Sequence, residues 1–256
     1  HIKDMADTVL VVRTSRHGPI VDGLMTKDPY SDKTISLRWV YFEVPTQIIN
    51  AIYQINRAKN IDQAREAAKL IDVLGLNVLY GDAVGNIAIW SCGKISKRPK
   101  HVNSKTILDG ASGKDELLGY FDFSENPQIE NPESGYIASA NNRPPPVNGF
   151  NYPGYYTPDI RITRIRKLIE SRDKLNVEDM KNMQRDVVSD SDNELAHSFA
   201  KSLVSFVNSP IQKEGVDYLM HWDGNYITES TPAVIYTKLQ YYMLEFGLKD
   251  ELGQQD

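Results

Sequence analysis

Cysteine and long apolar runs are scarce in this sequence, and their scarcity limits the class of protein it can be. Cys92 is the single cysteine among 256 residues, so no disulfide can form within the chain. Cytoplasmic proteins and large secreted proteins both exist without disulfides, which leaves the compartment open on composition. No run approaches the ~18 apolar residues of a transmembrane helix, so we expect no membrane span. The first residues are not followed by the apolar stretch of a signal peptide, and His1 fits a natural, a tag-derived or a proteolytic end equally well.

Basic charge and the familiar catalytic signatures are missing too. The net charge of −5 at pH 7 lacks the basic excess that nucleic-acid binding requires, so we expect no nucleic-acid partner. The sequence has no GxGxxG, Walker, GxSxG or HExxH motif, so it does not predict a nucleotide-binding protein, an α/β-hydrolase or a zinc protease of the usual kind. The five histidines do not have metal-ligand spacing, and we predict no metal in this chain.

What is present is the composition of an ordinary globular protein, 41% hydrophobic and 25% charged, in a chain long enough to bury a core. The pattern of apolar residues along the chain changes near Pro158. Residues 1–157 alternate short apolar runs with turn signals and are predicted to be a mixed strand and helix part. Residues 158–256 carry helical periodicity and are predicted to be a mainly helical region.

Local patterns predict individual elements within these two parts. Alternating or β-branched runs predict strands over 8–12, 37–44, 74–80, 86–90 and 135–140. The runs at 74–80 and 86–90 flank a loop that contains Asp82, which predicts a β-hairpin with Asp82 as a turn residue. Helical spacing predicts helices at 48–55 after a Thr46 cap, at 61–71, from 160 onward, after an Asn176 cap, near 193–207 and near 231–247.

Asn141 and Asn142 end the last strand candidate and precede Pro144, Pro145 and Pro146. An amide held rigidly at a strand end can donate to a developing oxyanion, an interaction worth ~3–4 kcal/mol in a transition state. The simpler alternative is that both asparagines cap a turn. Three arginines follow at positions 161, 164 and 166. They form either a solvated helix face or a face from which one arginine turns inward to orient a substrate or an asparagine.

Two serine–lysine patterns provide a rival chemistry. Ser91 precedes Lys94 by three residues, and Ser171 precedes Lys174 by the same spacing. Such a pair can form a nucleophile and base, although the pattern fixes only two residues and arises often by chance. His17, in a turn after a strand candidate, is more simply a structural histidine than a general base.

Six short blocks occur in an order that resembles the penicillin acylase (penicillin amidase) family of N-terminal nucleophile hydrolases. They are RTSRHGPI at 13–20, LRW at 37–39, NVLYGDAVGNI at 77–87, NPESGYIASANNRP at 131–144, DIRITRI at 159–165 and WDG at 222–224. The fourth block is the strongest match. Together the blocks cover nearly the entire chain, and the resemblance identifies it as an internal piece of the large subunit.

The resemblance implies a fold and three site residues. The fold would be α+β, part of the four-layer αββα sandwich of the class with an adjoining helical region. Asn141 would be the oxyanion-hole asparagine, and Arg161 the arginine that holds this asparagine and helps orient the substrate. Val78 would replace a larger aromatic residue that lines the acyl pocket in some members, which implies a different or roomier pocket.

The resemblance also implies what this chain leaves to other segments. The family's nucleophile is the first residue of the mature large subunit, with its own α-amino group as base, whereas residue 1 here is His and no Ser-Asn-x-Trp start occurs. The expected partners are the small subunit and the N-terminal part of the large subunit, with a small-molecule amide as substrate. The chain alone is then expected to be inactive. A non-catalytic binding or interaction domain on the same scaffold is the alternative.

The family's structural calcium and its compartment are two further implications. The calcium would be held in the complete enzyme mostly by residues upstream of this chain. One ligand would fall in the 148–153 loop, which contains no aspartate here. No cofactor is therefore expected within these residues. The location implied for the complete enzyme is periplasmic or extracellular.

Overall fold

The structure is a computed structural model that describes residues 3–6, 9, 11–21, 33–146 and 151–252. The chain forms two compact units. Unit 1 consists of His1–Ile137 and Pro144–Tyr155, and unit 2 consists of Ala138–Arg143 and Tyr156–Asp256. The segment that contains Asn141 thus belongs with the helices that follow it.

The strands of the described residues all lie in unit 1. They are β1 (Thr14–Ser15), β2 (Gly18–Pro19), β3 (Leu76–Gly81), β4 (Ile87–Cys92), β5 (Ser96–Lys97), β6 (Gly119–Tyr120) and β7 (Gln128–Glu130). The principal sheet has the order β3-β4-β7, and both pairings are antiparallel. The other strands form two short two-stranded ladders, β1-β2 and β5-β6.

The predicted hairpin is confirmed, and Asp82 organises its turn. Its carboxylate accepts hydrogen bonds from the backbone N–H groups of Val84 (3.0 Å) and Asn86 (2.9 Å). It also accepts from the Asn86 side chain at 2.8 Å and from the Tyr80 hydroxyl at 3.0 Å. These donors, led by the Asn86 side chain, lower the pKa of Asp82 because they favour the charged form.

Two helices, α1 (Ile48–Ile55) and α2 (Ile61–Lys69), pack with this sheet around one core. The N-cap of α1 is Gln47 rather than the predicted Thr46, and the Gln47 side chain makes no cap bond. Thr46 lies one residue earlier, where its hydroxyl accepts a hydrogen bond from the Ile48 N–H at 3.2 Å and so satisfies a free donor at the start of the helix. Apart from Ile71 and Trp90, the buried members of the core are small: Ala51, Ala64, Ala68, Ile71, Ala88, Trp90 and Cys92. The buried alanines of α2 let this helix pack closely against β4.

Two of the predicted strands are wrong. Residues 37–44 contain a 3₁₀ turn at Val40–Phe42, because the Phe42 and Glu43 N–H groups donate to the Trp39 and Val40 carbonyls within the turn rather than to a neighbouring strand. Residues 135–140 belong to none of the strands of the described residues. At the end of that run the Ala140 carbonyl and N–H are occupied by side chains rather than by a neighbouring strand. The predicted strand at 8–12 includes residues outside the described part of the chain.

Unit 2 consists of α3 (Ile160–Ile169), α4 (Val177–Gln184), α5 (Asp190–Leu203), α6 (Pro210–Met220) and α7 (Thr231–Leu252). The Asn176 cap is confirmed, since its side chain accepts from the N–H groups of Glu178 and Asp179. The sequence patterns did not predict α6, although Ser209 and Gln212 form a capping box and Pro210 lies in the first turn. The core of this unit contains Ala196, Ala200, Val216, Leu219, Trp222, Ala233 and Tyr236.

Candidate active site

The candidate site begins with an unusual backbone conformation at Asn141. Its φ is +60°, in the left-handed region that L-residues adopt rarely and that asparagine tolerates best after glycine. Ala140 is buried, whereas Asn141 is exposed. This conformation turns the chain sharply and presents the Asn141 side chain outward from a buried anchor.

Thr157, which follows Asn141 by 16 residues, holds this turn with two hydrogen bonds. Its backbone N–H donates to the Asn141 carbonyl at 2.8 Å, and its hydroxyl donates to the Ala140 carbonyl at 2.7 Å. The Asn142 side-chain oxygen accepts from the Ala140 N–H at 3.2 Å. The backbone on both sides of the Asn141 Cα is therefore held by hydrogen bonds within unit 2.

Arg161, in the first turn of α3, holds the Asn141 side chain. Its Nη2 donates to the Ala140 carbonyl at 2.7 Å and to Asn141 Oδ1 at 2.9 Å. A guanidinium can only donate, so the atom it meets must be the amide oxygen, and this fixes the orientation of the Asn141 amide. No hydrogen bond from the Asn141 Nδ2 occurs among the described residues. The NH₂ group is thus left as an outward-facing donor.

The position of Arg161 is not explained by the stability of its own helix. The N-terminus of a helix carries partial positive charge, so a cation in the first turn is mildly unfavourable. The hydrogen bonds to Ala140 and Asn141 supply the compensating interaction. We infer that this arginine is placed for the asparagine rather than for the helix.

The other two arginines of α3 have different surroundings. Arg164 is mostly buried between Asp186 (2.7 Å) and Asp190 (3.1 Å), and it lowers the pKa of Asp186 by hydrogen bonding to its charged form. Arg166 is exposed on the helix surface. Of the three, Arg161 is the one that turns to Asn141, Arg164 anchors α3 to the following segment, and Arg166 is solvated.

Comparison with known proteins identifies the family that uses this scaffold. The family model described as penicillin amidase matches residues 1–256. The chain belongs to the penicillin amidase family. The resemblance inferred from the six sequence blocks is thereby confirmed.

The relatives of this penicillin amidase family member are much longer than the chain. It is 25% identical over 192 residues to penicillin acylase 2 proenzyme from Pseudomonas sp. (strain SE83), covering 73% of the chain and 24% of that protein. It is 23% identical over 278 residues to acyl-homoserine lactone acylase QuiP from Pseudomonas aeruginosa, covering 96% of the chain and 31% of that protein. It is 32% identical over 127 residues to penicillin G acylase from Escherichia coli, covering 48% of the chain and 14% of that protein. The chain therefore spans less than a third of the length of these relatives.

A solved structure supports the same fold. Thermostable penicillin G acylase from Alcaligenes faecalis matches with a TM-score of 0.67 at 22% identity, over 90% of this chain and 41% of that chain. The chain is α+β and has the fold of part of an N-terminal nucleophile hydrolase, as predicted.

Val78, the third site residue expected in this penicillin amidase chain, lies on β3 in unit 1. It is opposite Trp90 of β4, on the sheet face that packs on the core of that unit, and is half-buried. Asn141 and Arg161 belong to unit 2. The structure brings Asn141 and Arg161 together, and the pocket-lining role of Val78 stays a prediction.

The serine–lysine alternatives lack the required contact. The Ser91 hydroxyl donates to Asn77 Oδ1 at 2.7 Å, and the Ser171 hydroxyl donates to the Leu168 carbonyl at 2.7 Å. Neither hydroxyl bonds to its lysine within the described ranges. His17 bonds to Glu116 at 2.9 Å, which agrees with a structural histidine.

The described residues offer neither a cluster of metal ligands nor a membrane-spanning helix. Across the part of the chain that the structure describes, no group of three or more His, Cys, Asp or Glu side chains is arranged to hold a metal ion. The 148–153 loop contains no aspartate, and we assign no residue of this chain as a ligand of the calcium implied by the family. The helices of the described residues include none that is long and apolar enough to cross a membrane.

Sequence reasoning missed one contributor to the site. Thr157 touches the backbone on both sides of the Asn141 Cα, yet no motif singled it out. The available signal was its position before Pro158, since a residue preceding proline is held in an extended conformation just ahead of a helix.

Proposed function

We propose that the complete protein to which this chain belongs hydrolyses linear amides of acylated small molecules through a covalent acyl-enzyme. Its relatives carry the names of penicillin acylases and acyl-homoserine lactone acylases, which share amide cleavage as their chemistry. The observation that carries the proposal is the Asn141 amide, whose oxygen is held by Arg161 while its NH₂ group faces outward. A fixed donor of this kind is what a tetrahedral oxyanion requires.

The reaction would proceed in two halves. An N-terminal Ser, Thr or Cys, with its own α-amino group as base, attacks the amide carbonyl and gives a tetrahedral intermediate. Asn141 Nδ2 donates to the oxyanion, and Arg161 keeps the amide from rotating. Collapse of the intermediate expels the amine and leaves an acyl-enzyme. Water then attacks the acyl carbonyl, again with Asn141 stabilising the oxyanion, and releases the acid.

In this proposal the nucleophile and the small subunit come from segments outside these 256 residues. The family's calcium would be held in the complete enzyme mostly by residues upstream of this chain. This chain supplies the oxyanion donor and its support. The isolated chain is accordingly proposed to be inactive. The complete protein is proposed to be periplasmic or extracellular, as the family resemblance implies.

The proposal is tested by assaying the complete protein and the isolated chain in parallel with phenylacetyl and long-chain acyl amide reporters. The complete protein should show a burst of released amine, because acyl-enzyme accumulates before its hydrolysis. The isolated chain should show no turnover. Hydrolysis by the homogeneous isolated chain would overturn the proposal, since it would require a nucleophile within these residues. An inert complete protein would favour a binding domain on the same scaffold.

Acyl specificity is a separate expectation that rests on Val78. If this valine lines the acyl pocket in place of a larger aromatic residue, the complete enzyme should prefer acyl groups larger than phenylacetyl. The measurement is kcat/KM across a series of straight-chain acyl amides and phenylacetyl amide. Because a methylene in an apolar pocket contributes about 1–3 kcal/mol, the preference should change steeply along the series. A sharp optimum at phenylacetyl would contradict the roomier pocket.

Removing the support of Asn141 should slow the reaction. Arg161→Met keeps the aliphatic stem and deletes the donor to Asn141 Oδ1 and the Ala140 carbonyl. We expect kcat to fall by about ten- to a hundredfold with a smaller change in KM, because the asparagine is no longer aimed at the oxyanion. Arg166→Met is the matched control, since it removes an exposed cation from the same helix. Equal effects of the two substitutions would indicate that only net charge matters.

A further inference from the structure

We propose that Thr157 is a positioning residue for amide hydrolysis, acting through the backbone of Asn141. The inference rests on the proposed function, because it assumes that Asn141 donates to the oxyanion. Thr157 does not need to touch the substrate. It holds the left-handed turn from which the Asn141 amide projects.

The contacts of Thr157 bracket the Asn141 Cα. The hydroxyl donates to the Ala140 carbonyl on the N-terminal side at 2.7 Å, and the backbone N–H donates to the Asn141 carbonyl on the C-terminal side at 2.8 Å. Residues 142 and 157 also form a parallel bridge. A non-glycine residue at φ +60° is strained, and such a conformation persists where its surroundings hold it on both sides.

Thr157 is itself well fixed for this task. Pro158 restricts the preceding residue to extended conformations, and a β-branched side chain has few χ1 rotamers. Thr157 is half-buried, so little water competes for its hydroxyl. The hydroxyl is therefore already positioned before substrate binds, and its hydrogen bond does not require ordering of a mobile side chain.

The hydroxyl and Arg161 share one acceptor. The Ala140 carbonyl accepts from Thr157 Oγ1 at 2.7 Å and from Arg161 Nη2 at 2.7 Å, and the same Nη2 reaches Asn141 Oδ1 at 2.9 Å. Loss of the hydroxyl leaves this carbonyl with one donor, which allows both the peptide and the guanidinium to shift. A shift of the asparagine weakens a contact made to the oxyanion, which exists only along the reaction path. The loss should therefore fall on kcat rather than on KM.

The test compares Thr157→Val and Thr157→Ser in the complete enzyme, with rates normalised to the burst of released amine so that only competent molecules are counted. Thr157→Val keeps the shape and deletes the hydroxyl, and we expect kcat to fall about tenfold with KM changed less than about twofold. Thr157→Ser restores the donor and should remain within about threefold of the parent kcat. Thr237→Val is the matched control, because its hydroxyl donates to the Ala233 carbonyl at 2.8 Å in the same unit, on α7. It should leave kcat unchanged.

A double substitution separates positioning from a general structural effect. In an Asn141→Gly background the amide is gone, so Thr157→Val should cause little further loss of kcat. An undiminished tenfold loss in that background would overturn the positioning role, as would equal kcat losses for Thr157→Val and Thr237→Val. If Thr157→Val does not yield folded enzyme, Thr157→Ala takes its place in the same cycle.

The single substitutions distinguish failure of the proposed function from failure of the inference about Thr157. If Asn141→Gly alone retains full activity, the proposed function fails. If Asn141→Gly is impaired and Thr157→Val is not, only the inference about Thr157 fails.

Discussion

Asn141→Gly in the complete enzyme is expected to lower kcat by about 10²- to 10³-fold, the loss typical when one oxyanion donor is removed. The substitution deletes the NH₂ group that faces outward and the oxygen that Arg161 holds at 2.9 Å. KM should change little, because the contact strengthens only as negative charge develops on the carbonyl oxygen. The measurement is steady-state kinetics on an amide reporter, with the burst amplitude used to count active sites.

Glycine is the informative replacement because of the backbone at this position. Asn141 has φ +60°, a conformation that alanine adopts only at a penalty of roughly 1–2 kcal/mol and that glycine adopts freely. Asn141→Gly therefore removes the side chain without straining the turn, whereas Asn141→Ala does both. We expect equal losses of kcat for the two variants and a lower melting temperature for the alanine variant alone. If the alanine variant is inactive and the glycine variant is fully active, the backbone rather than the amide is what catalysis needs.

Much of the fold follows from local sequence signals. The hairpin of β3 and β4 is encoded by two apolar runs around an Asp and Gly loop, and Asp82 satisfies the turn's N–H groups as that pattern predicts. Asn176 caps α4 through the same kind of local hydrogen bond. In both places the sequence neighbours that make the pattern also make the contacts, so the structure could be anticipated without knowing what packs nearby.

The wrong predictions occur where contacts outside the pattern decide the conformation. Residues 37–44 contain an apolar run as a strand would, but the Leu37 N–H donates to the Pro19 carbonyl, the Tyr120 hydroxyl donates to Glu43, and Val40–Phe42 form a 3₁₀ turn. Residues 135–140 are β-prone, but side chains from residues 142, 157 and 161 occupy the polar groups of Ala140. Propensity gives way to such tertiary bonds because its contribution per residue is small.

The candidate site was found by motif and understood only by geometry. The order of the sequence blocks predicted Asn141 and Arg161 as site residues, although they lie 20 residues apart. Their direct hydrogen bond in the structure explains why the Asn141 amide has one orientation. The sequence did not predict a role for Thr157, since its contacts are to residues 16 and 17 positions away and produce no periodic pattern in the sequence. A lone threonine before a proline is common, and only the folded chain shows which carbonyl it meets.

The largest loss of stability is expected from Trp222→Ala, which should destabilise unit 2 by about 3–5 kcal/mol. Trp222 is 3% exposed in the core formed with α5, α6 and α7, and its ring contacts those of Tyr226 and Tyr236 at centroid distances of 5.0 and 5.2 Å. Its indole N–H also donates to the Asn225 carbonyl at 3.1 Å, so truncation leaves both a cavity and a carbonyl without that donor.

The matched control for Trp222→Ala is Phe206→Ala, which removes an aromatic ring that is 76% exposed in the same unit and should change stability by less than about 0.5 kcal/mol. Trp222→Phe should lie between the two, because it refills most of the cavity and loses the N–H. Far-UV circular dichroism during denaturant unfolding reports the transition, since α3 to α7 contribute a large helical signal. Similar midpoints for Trp222→Ala and Phe206→Ala would mean that the ring is not the centre of this core. The expected order, with Trp222→Ala far below the others, would instead show that the packing around Trp222 sustains the unit that holds Asn141 against Thr157 and Arg161.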